Sequence, residues 1–273
     1  MAGMMQLADR TAVVTGAASG IGRATAVALA RRKCHLALAD VDAAGLVRTA
    51  ELIGGHGVRV SCHKLDVSDA EAVAAFPEIV QAEHPSVDVL INNAGVAIGG
   101  SFEQASEADF EWLFGINFWG VVRMTRAFLP LLKASDDARL VNLSSVFGLI
   151  APPGQTAYAA SKFAVRGFSE ALRHELQGSR VGVTVVHPGG VATAIAERAR
   201  LPAGAAAEEI ARQRAAFSKA LRLPPEVAGE TIVQGIERRK DRVLVGSDAR
   251  LIAAIVRVAP VSYWQILTRL MPK

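Results

Sequence analysis

Short apolar runs recur along the chain, separated by longer stretches whose apolar residues fall at helical spacing. Thr11–Thr15, His35–Ala39, Val58–Cys62, Val87–Ile91, Leu140–Leu143 and Val181–Val186 read as strands, with Arg242–Val245 as a seventh. They are apolar almost throughout rather than alternating, which is the pattern of parallel strands covered on both faces. Between them Gly20–Arg32, Ala43–Ile53, Ala70–Ala82, Glu107–Leu132 and Tyr158–Gln177 read as helices. Strand then helix, repeated, predicts an α/β fold: a doubly wound parallel sheet of about seven strands with right-handed crossovers. Ligands of such sheets bind at the carboxyl ends of the strands.

No linker divides the chain, so residues 1–273 read as one domain. Ala192–Leu223, rich in Ala, Glu and Arg, follows a strand and reads as a substrate lid of one or two helices; an ordinary surface connection is the alternative. Hydrophobic residues make up 51% and charged residues 21%, a globular composition. The net charge of +4 is scattered, which argues against a nucleic-acid partner. Cys34 and Cys62 lie in apolar runs and read as reduced, buried packing residues, and the six histidines show no metal-ligand spacing. The first ten residues lack the apolar core of a signal peptide, and no apolar run is long enough to cross a membrane, so a cytoplasmic setting is expected.

Candidate chemistry begins where the first strand ends. Thr15-Gly16-Ala17-Ala18-Ser19-Gly20-Ile21-Gly22 opens a helix. Glycine takes positive φ and lets a ligand approach the backbone, and the free amides of a helix start suit a pyrophosphate. Gly16, Ser19, Gly20, Ile21 and Gly22 are the expected contacts. Asp40 closes the second strand, where a carboxylate can accept from adenosine ribose hydroxyls. It would repel a ribose 2′-phosphate, so NAD(H) is expected over NADP(H). Asp42 competes for the same role.

Tyr158 and Lys162 stand one helical turn apart. A nearby ammonium, aided by a positively charged nicotinamide, could lower a phenol from its ordinary pKa of about 10 toward the range of acid–base catalysis. Ser144 and Ser145 follow an apolar strand, where a hydroxyl can hold a reacting oxygen. Asn117 lies inside a helical stretch, which suggests a local distortion or a polar task.

Taken together, these residues resemble the short-chain dehydrogenase/reductase family, with its Rossmann-like fold. The resemblance rests on Thr15-Gly16-x-x-x-Gly20-x-Gly22, Asp40, Asp66-Val67, Asn92-Asn93-Ala94-Gly95, Asn117, Ser145, Tyr158-x-x-x-Lys162, Pro188-Gly189 and Thr193, in the family's order. The family's serine-to-tyrosine spacing selects Ser145 over Ser144. The resemblance implies that Tyr158 is the acid/base, that Lys162 lowers its pKa and binds the nicotinamide ribose, and that Ser145 positions the substrate oxygen. Asn117 is expected to hold a relay water. Asp66 and Val67 are implied at the adenine, and Asn93, Ala94 and Gly95 at the riboses. Pro188, Gly189, Val191 and Thr193 are implied at the nicotinamide.

By this geometry Val96, Ile98, Ser145, Phe147, Leu149, Ile150, Pro153 and Gly190 would line the substrate pocket. Nearly all are apolar, so a lipophilic secondary alcohol or ketone is expected; simple mutual packing is the alternative. An NADPH-preferring carbonyl reductase would need Arg23 or Arg48 at the 2′-phosphate, and a non-catalytic dinucleotide sensor would not need the intact catalytic set. Residues 249–273 form an apolar extension, read as packing against the body or a subunit, with peripheral membrane contact as the alternative. The two long helices are expected to pair copies into a homodimer or homotetramer.

Overall fold

The computed structural model describes residues 3–200 and 221–270. In chain order the elements are β1 (Thr11–Thr15), α1 (Gly20–Ala30), β2 (His35–Asp40), α2 (Ala43–Ile53), β3 (Val60–Lys64), α3 (Ala70–Glu83) and β4 (Val89–Asn92). They continue with α4 (Glu107–Phe114), α5 (Gly120–Ala134), β5 (Ala138–Leu143), α6 (Thr156–Glu175), β6 (Val181–Pro188), α7 (Pro225–Glu237), β7 (Arg242–Val245), α8 (Ser247–Val258) and α9 (Tyr263–Leu270). The seven strands form one sheet in the order β3-β2-β1-β4-β5-β6-β7, and every pairing is parallel.

Strand alternation explains why the runs are apolar throughout. In β1, Ala12 and Val14 enter one core with Leu29 of α1, Leu46 of α2 and Ile232 of α7. Val13 points the other way, into a core with Phe76 of α3 and Met124 and Phe128 of α5. The central strands β1, β4 and β5 are therefore buried on both faces, while the edge strands β3 and β7 are only partly covered. Phe128 is fully buried, and truncating such a side chain to Ala costs about 3–5 kcal/mol.

Three expectations are corrected. β3 starts two residues late, at Val60, because the chain first turns through Gly57 at φ 66°. Cys62 is exposed, since β3 is an edge strand; only Cys34 is buried. The stretch 107–132 is not one regular helix: Gly115–Trp119 forms a π-helical turn between α4 and α5. Of the expected lid, residues 201–220 lie outside the described residues. Val191 bridges Leu223, 194–198 form a turn, and Arg200 bridges Ile98. The Arg200 guanidinium lies 3.4 Å from Asp109 and 4.9 Å from the Trp112 ring. The C-terminal helices pack only in part: Leu267 is buried and the Tyr263 hydroxyl accepts from Ala151 N at 3.1 Å, while Leu251, Val258, Val261 and Leu270 are exposed. No helix among the described residues is long and apolar enough to cross a membrane.

Candidate active site

The turn after β1 passes through Gly16 at φ 66°. A Cβ there would lie 2.6 Å from Asn93 Nδ2 and 2.9 Å from Ala94 Cα, so the loops after β1 and β4 meet only because Gly16 has no side chain. Asn93 Nδ2 donates to Thr15 O and Gly16 O, at 2.9 and 3.1 Å. A Cβ on Gly20 would lie 3.0 Å from Thr193 Cγ2, which sets two residues distant in sequence face to face. Ser19 caps α1 in an extended conformation with no side-chain capping bond, and the first turn carries no acid. Free amides and an unneutralised helix end fit a pyrophosphate.

Asp40 Oδ2 accepts from Ala18 N at 3.0 Å, which ties the end of β2 to the glycine turn. Asp42 is committed elsewhere: it caps α2 by accepting from Gly45 N at 2.9 Å. Arg23 turns toward α2, with Nε donating to Thr49 Oγ1 at 3.0 Å, and Arg48 pairs with Asp42 at 3.4 Å. Asp66 accepts from Ser68 N and Oγ, while Val67 is buried against Gly120. The residues present thus fit a dinucleotide along the strand ends.

The π turn gives Asn117 its place. A π turn carries one more residue than an α turn and often marks a functional site. Asn117 is fully buried; its Oδ1 accepts from Val96 N at 2.8 Å, and its Nδ2 donates to Val96 O at 2.9 Å and to Ser161 Oγ at 3.3 Å. A Cβ on Gly95 would lie 3.2 Å from Asn117 Oδ1 and 3.5 Å from Lys162 Nζ, so these two polar groups converge on one glycine.

Lys162 Nζ donates to Leu143 O at 3.1 Å and lies 5.6 Å from the centroid of the Tyr158 ring. Ser145 stands beside Tyr158, where its hydroxyl lowers the phenol, and its Oγ accepts from Phe147 N at 3.1 Å. Ser144 Oγ donates to Lys162 O at 2.8 Å, so it fastens α6 rather than facing Tyr158. Burial pushes the Tyr158 phenol up to about 12, against the lowering by Ser145, and burial brings Lys162 down to about 8. The expected lowering of Tyr158 therefore does not arise from the chain by itself: desolvation outweighs the lowering by Ser145.

The expected pocket wall divides. Ile98, Leu149 and Ile150 are buried, Ile98 against Leu113 and Ala157. Val96, Phe147 and Gly190 keep partial exposure. Phe147 meets Tyr158 edge-on at 6.1 Å. Pro153 borders an outer groove with Phe163 and Trp264.

Sequence reasoning missed two residues here. His187 is buried and its Nδ1 hydrogen-bonds Ser145 O at 2.9 Å; burial lowers it to about 4, so the ring is neutral and Nδ1 is the donor. Asp248 accepts from Gly190 N at 2.7 Å. The available signal was position: His187 directly precedes Pro188, and Asp248 follows the end of β7.

Known proteins agree with this architecture. A family profile described as short chain dehydrogenase matches residues 10–203. A Mycobacterium tuberculosis protein named as an oxidoreductase, SadH, is 44% identical over 267 residues, covering 97% of this chain and 96% of that protein. A Burkholderia phymatum short chain dehydrogenase/reductase, solved in complex with NAD, superposes with a TM-score of 0.86 at 31% identity, covering 99% of this chain and 98% of that one. An alcohol dehydrogenase from Thermococcus sibiricus, complexed with 5-hydroxy-NADP, reaches a TM-score of 0.73 at 29% identity, covering 86% of this chain and 95% of that one. With the parallel sheet, the glycine turn and the strand-end site, these matches show that the chain belongs to the short-chain dehydrogenase family and is an oxidoreductase of the nicotinamide-dinucleotide type.

Proposed function

We propose that the chain interconverts a lipophilic secondary alcohol and its ketone with NAD(H), with Tyr158 handling the proton. The observation that carries this reading is the convergence of the Tyr158 phenol, the Ser145 hydroxyl, the Lys162 ammonium and the Asn117 amide at the carboxyl ends of β4 and β5. When bound, the nicotinamide supplies the hydride acceptor or donor. In the reducing direction Tyr158 gives its proton to the substrate oxygen, and in the oxidising direction it takes one. Ser145 hydrogen-bonds the same oxygen and keeps it within reach of the phenol. Lys162 holds nicotinamide-ribose hydroxyls, and its positive charge favours the phenolate. Asn117 fixes the Val96 backbone beside Lys162 and supports a relay water there.

Asp40 supports the preference for NAD(H), because its carboxylate would face a 2′-phosphate while Arg23 and Arg48 are engaged elsewhere. The apolar surfaces of Val96 and Phe147 support a lipophilic substrate. Exposed Trp119 and Phe163, with the groove of Val122, Leu129, Phe168 and Leu172 between α5 and α6, support pairing of copies through these helices. The test is a spectrophotometric screen of apolar alcohols and ketones that follows NADH absorbance, run in parallel with NADPH. Turnover of apolar ketones with NADH is expected; preference for small charged hydroxy acids would overturn the substrate, and preference for NADPH would overturn the nucleotide.

A further inference from the structure

The turn that follows β6 is held from outside the strand. Gly189 N donates to Val245 O at 2.9 Å, and Gly190 O accepts from Arg222 N and Leu223 N, each at 2.9 Å. Gly190 N donates to the Asp248 carboxylate at 2.7 Å, across 58 residues of chain. The carboxylate also lies against two glycines. A Cβ on Gly189 would fall 2.2 Å from both its oxygens, and a Cβ on Gly246 would fall 2.3 Å from Oδ1. Gly246 sits at φ 101°, a backbone state that side chains rarely adopt, and it turns the chain from β7 into α8 so that Asp248 reaches back. Two glycines from separate strand ends thus leave room for one acid.

Helix capping does not require this arrangement. An acid in the first turn of α8 favours the helix start from many rotamers, yet this one is aimed at the amide of Gly190. We infer that Asp248 is a positioning residue that holds the Gly189–Gly190 turn at the height at which Val191 and Thr193 meet the nicotinamide. The inference rests on the proposed NAD(H) reaction and on the family resemblance, which puts Pro188, Gly189, Val191 and Thr193 beside the nicotinamide. A side chain at 248 that cannot accept lets the turn drift, and the nicotinamide half of the cofactor loses its wall. The adenosine half, held at Gly16–Gly22 and Asp40, does not.

The experiment compares NADH with ADP-ribose, which carries the pyrophosphate and adenosine but no nicotinamide. Dissociation constants are measured by calorimetry for the wild type, Asp248→Ala, Asp248→Asn and Thr193→Ala, alongside melting temperatures. Asp248→Ala is expected to weaken NADH about five- to tenfold, the scale of one partly exposed hydrogen bond to a charged group, and to leave ADP-ribose unchanged. Asp248→Asn, which keeps the acceptor, is expected to restore NADH binding. Equal weakening of both ligands by Asp248→Ala, or failure of Asn to rescue, would show a merely structural acid and overturn the inference. If Thr193→Ala weakens NADH while Asp248→Ala does not, the role of Asp248 fails and the placing stands; if neither variant weakens it, the placing itself fails.

Discussion

The two ends of the sheet treat charge in opposite ways. At the amino end, Asp88 is buried and accepts from Thr11 N at 2.9 Å, Ser135 Oγ at 2.7 Å and Arg10 at 3.0 Å. Arg10 also reaches Asp136, Arg239 pairs with Asp137, and Arg139 donates to Thr184 and lies 3.7 Å from Asp241. At the carboxyl end, Lys162 meets a carbonyl and an aromatic ring instead of a carboxylate, and the half-buried Tyr158 has its ionisation disfavoured by desolvation. Paired charges fasten the strands where nothing reacts. Groups whose ionisation is suppressed stand where the proposed function moves a proton.

The difference can be broken at either end. Under the proposed function Tyr158→Phe removes the proton carrier, and a fall in kcat of about 10²–10⁴-fold with unchanged NADH affinity is expected in steady-state assays. Asp88→Ala leaves the buried Thr11 N without its acceptor and takes one partner each from Arg10, which keeps Asp136, and Ser135, which keeps Asp137 O, and a loss of about 3 kcal/mol is expected from denaturant melts. NADH affinity of the folded fraction should not change; if it does, the two ends are coupled and the comparison fails.

Acid sharpens the contrast. Burial lowers His187 and His84 to about 4, from an ordinary value near 6.5. Between those limits the unfolded chain binds protons that the folded chain does not, so stability falls as pH falls through that window. A loss on the order of 2 kcal/mol per histidine is expected from urea midpoints at pH 7 and pH 4. His187→Asn should flatten the slope, and an unchanged slope would remove His187 from the account. Smallest is Asp40→Ala, expected to shift the NADH-to-NADPH ratio of kcat/KM about tenfold toward NADPH, the scale of one lost charge repulsion.

Much of this was legible without coordinates. The seven parallel strands and the helical layers follow from periodicity, a local property of the chain, and Ser145, Tyr158 and Lys162 were joined by the family resemblance of their motifs. The conformation of 115–119 was not, because the partner of Asn117 in that π turn is the Val96 backbone, 21 residues away in sequence. The exposure of Cys62 depends on β3 lying at an edge, which apolar content does not reveal. Nor was Asp248 visible, since its partners are backbone atoms from another strand end. The height of the Tyr158 value was missed because the expectation weighed the ammonium and left out the desolvation.

The π turn at Gly115–Trp119 has a consequence for insertion and deletion. It amounts to one surplus residue in an otherwise α-helical rod. Deleting a single residue there would restore a regular helix and rotate everything on one side of the deletion by about 100° relative to the other. If Met124 and Phe128 kept their places in the core, Asn117 would swing away from Val96; if Asn117 kept its bonds, the core face of α5 would turn toward solvent. Substitution can tune this helix, but its length is locked to a single integer.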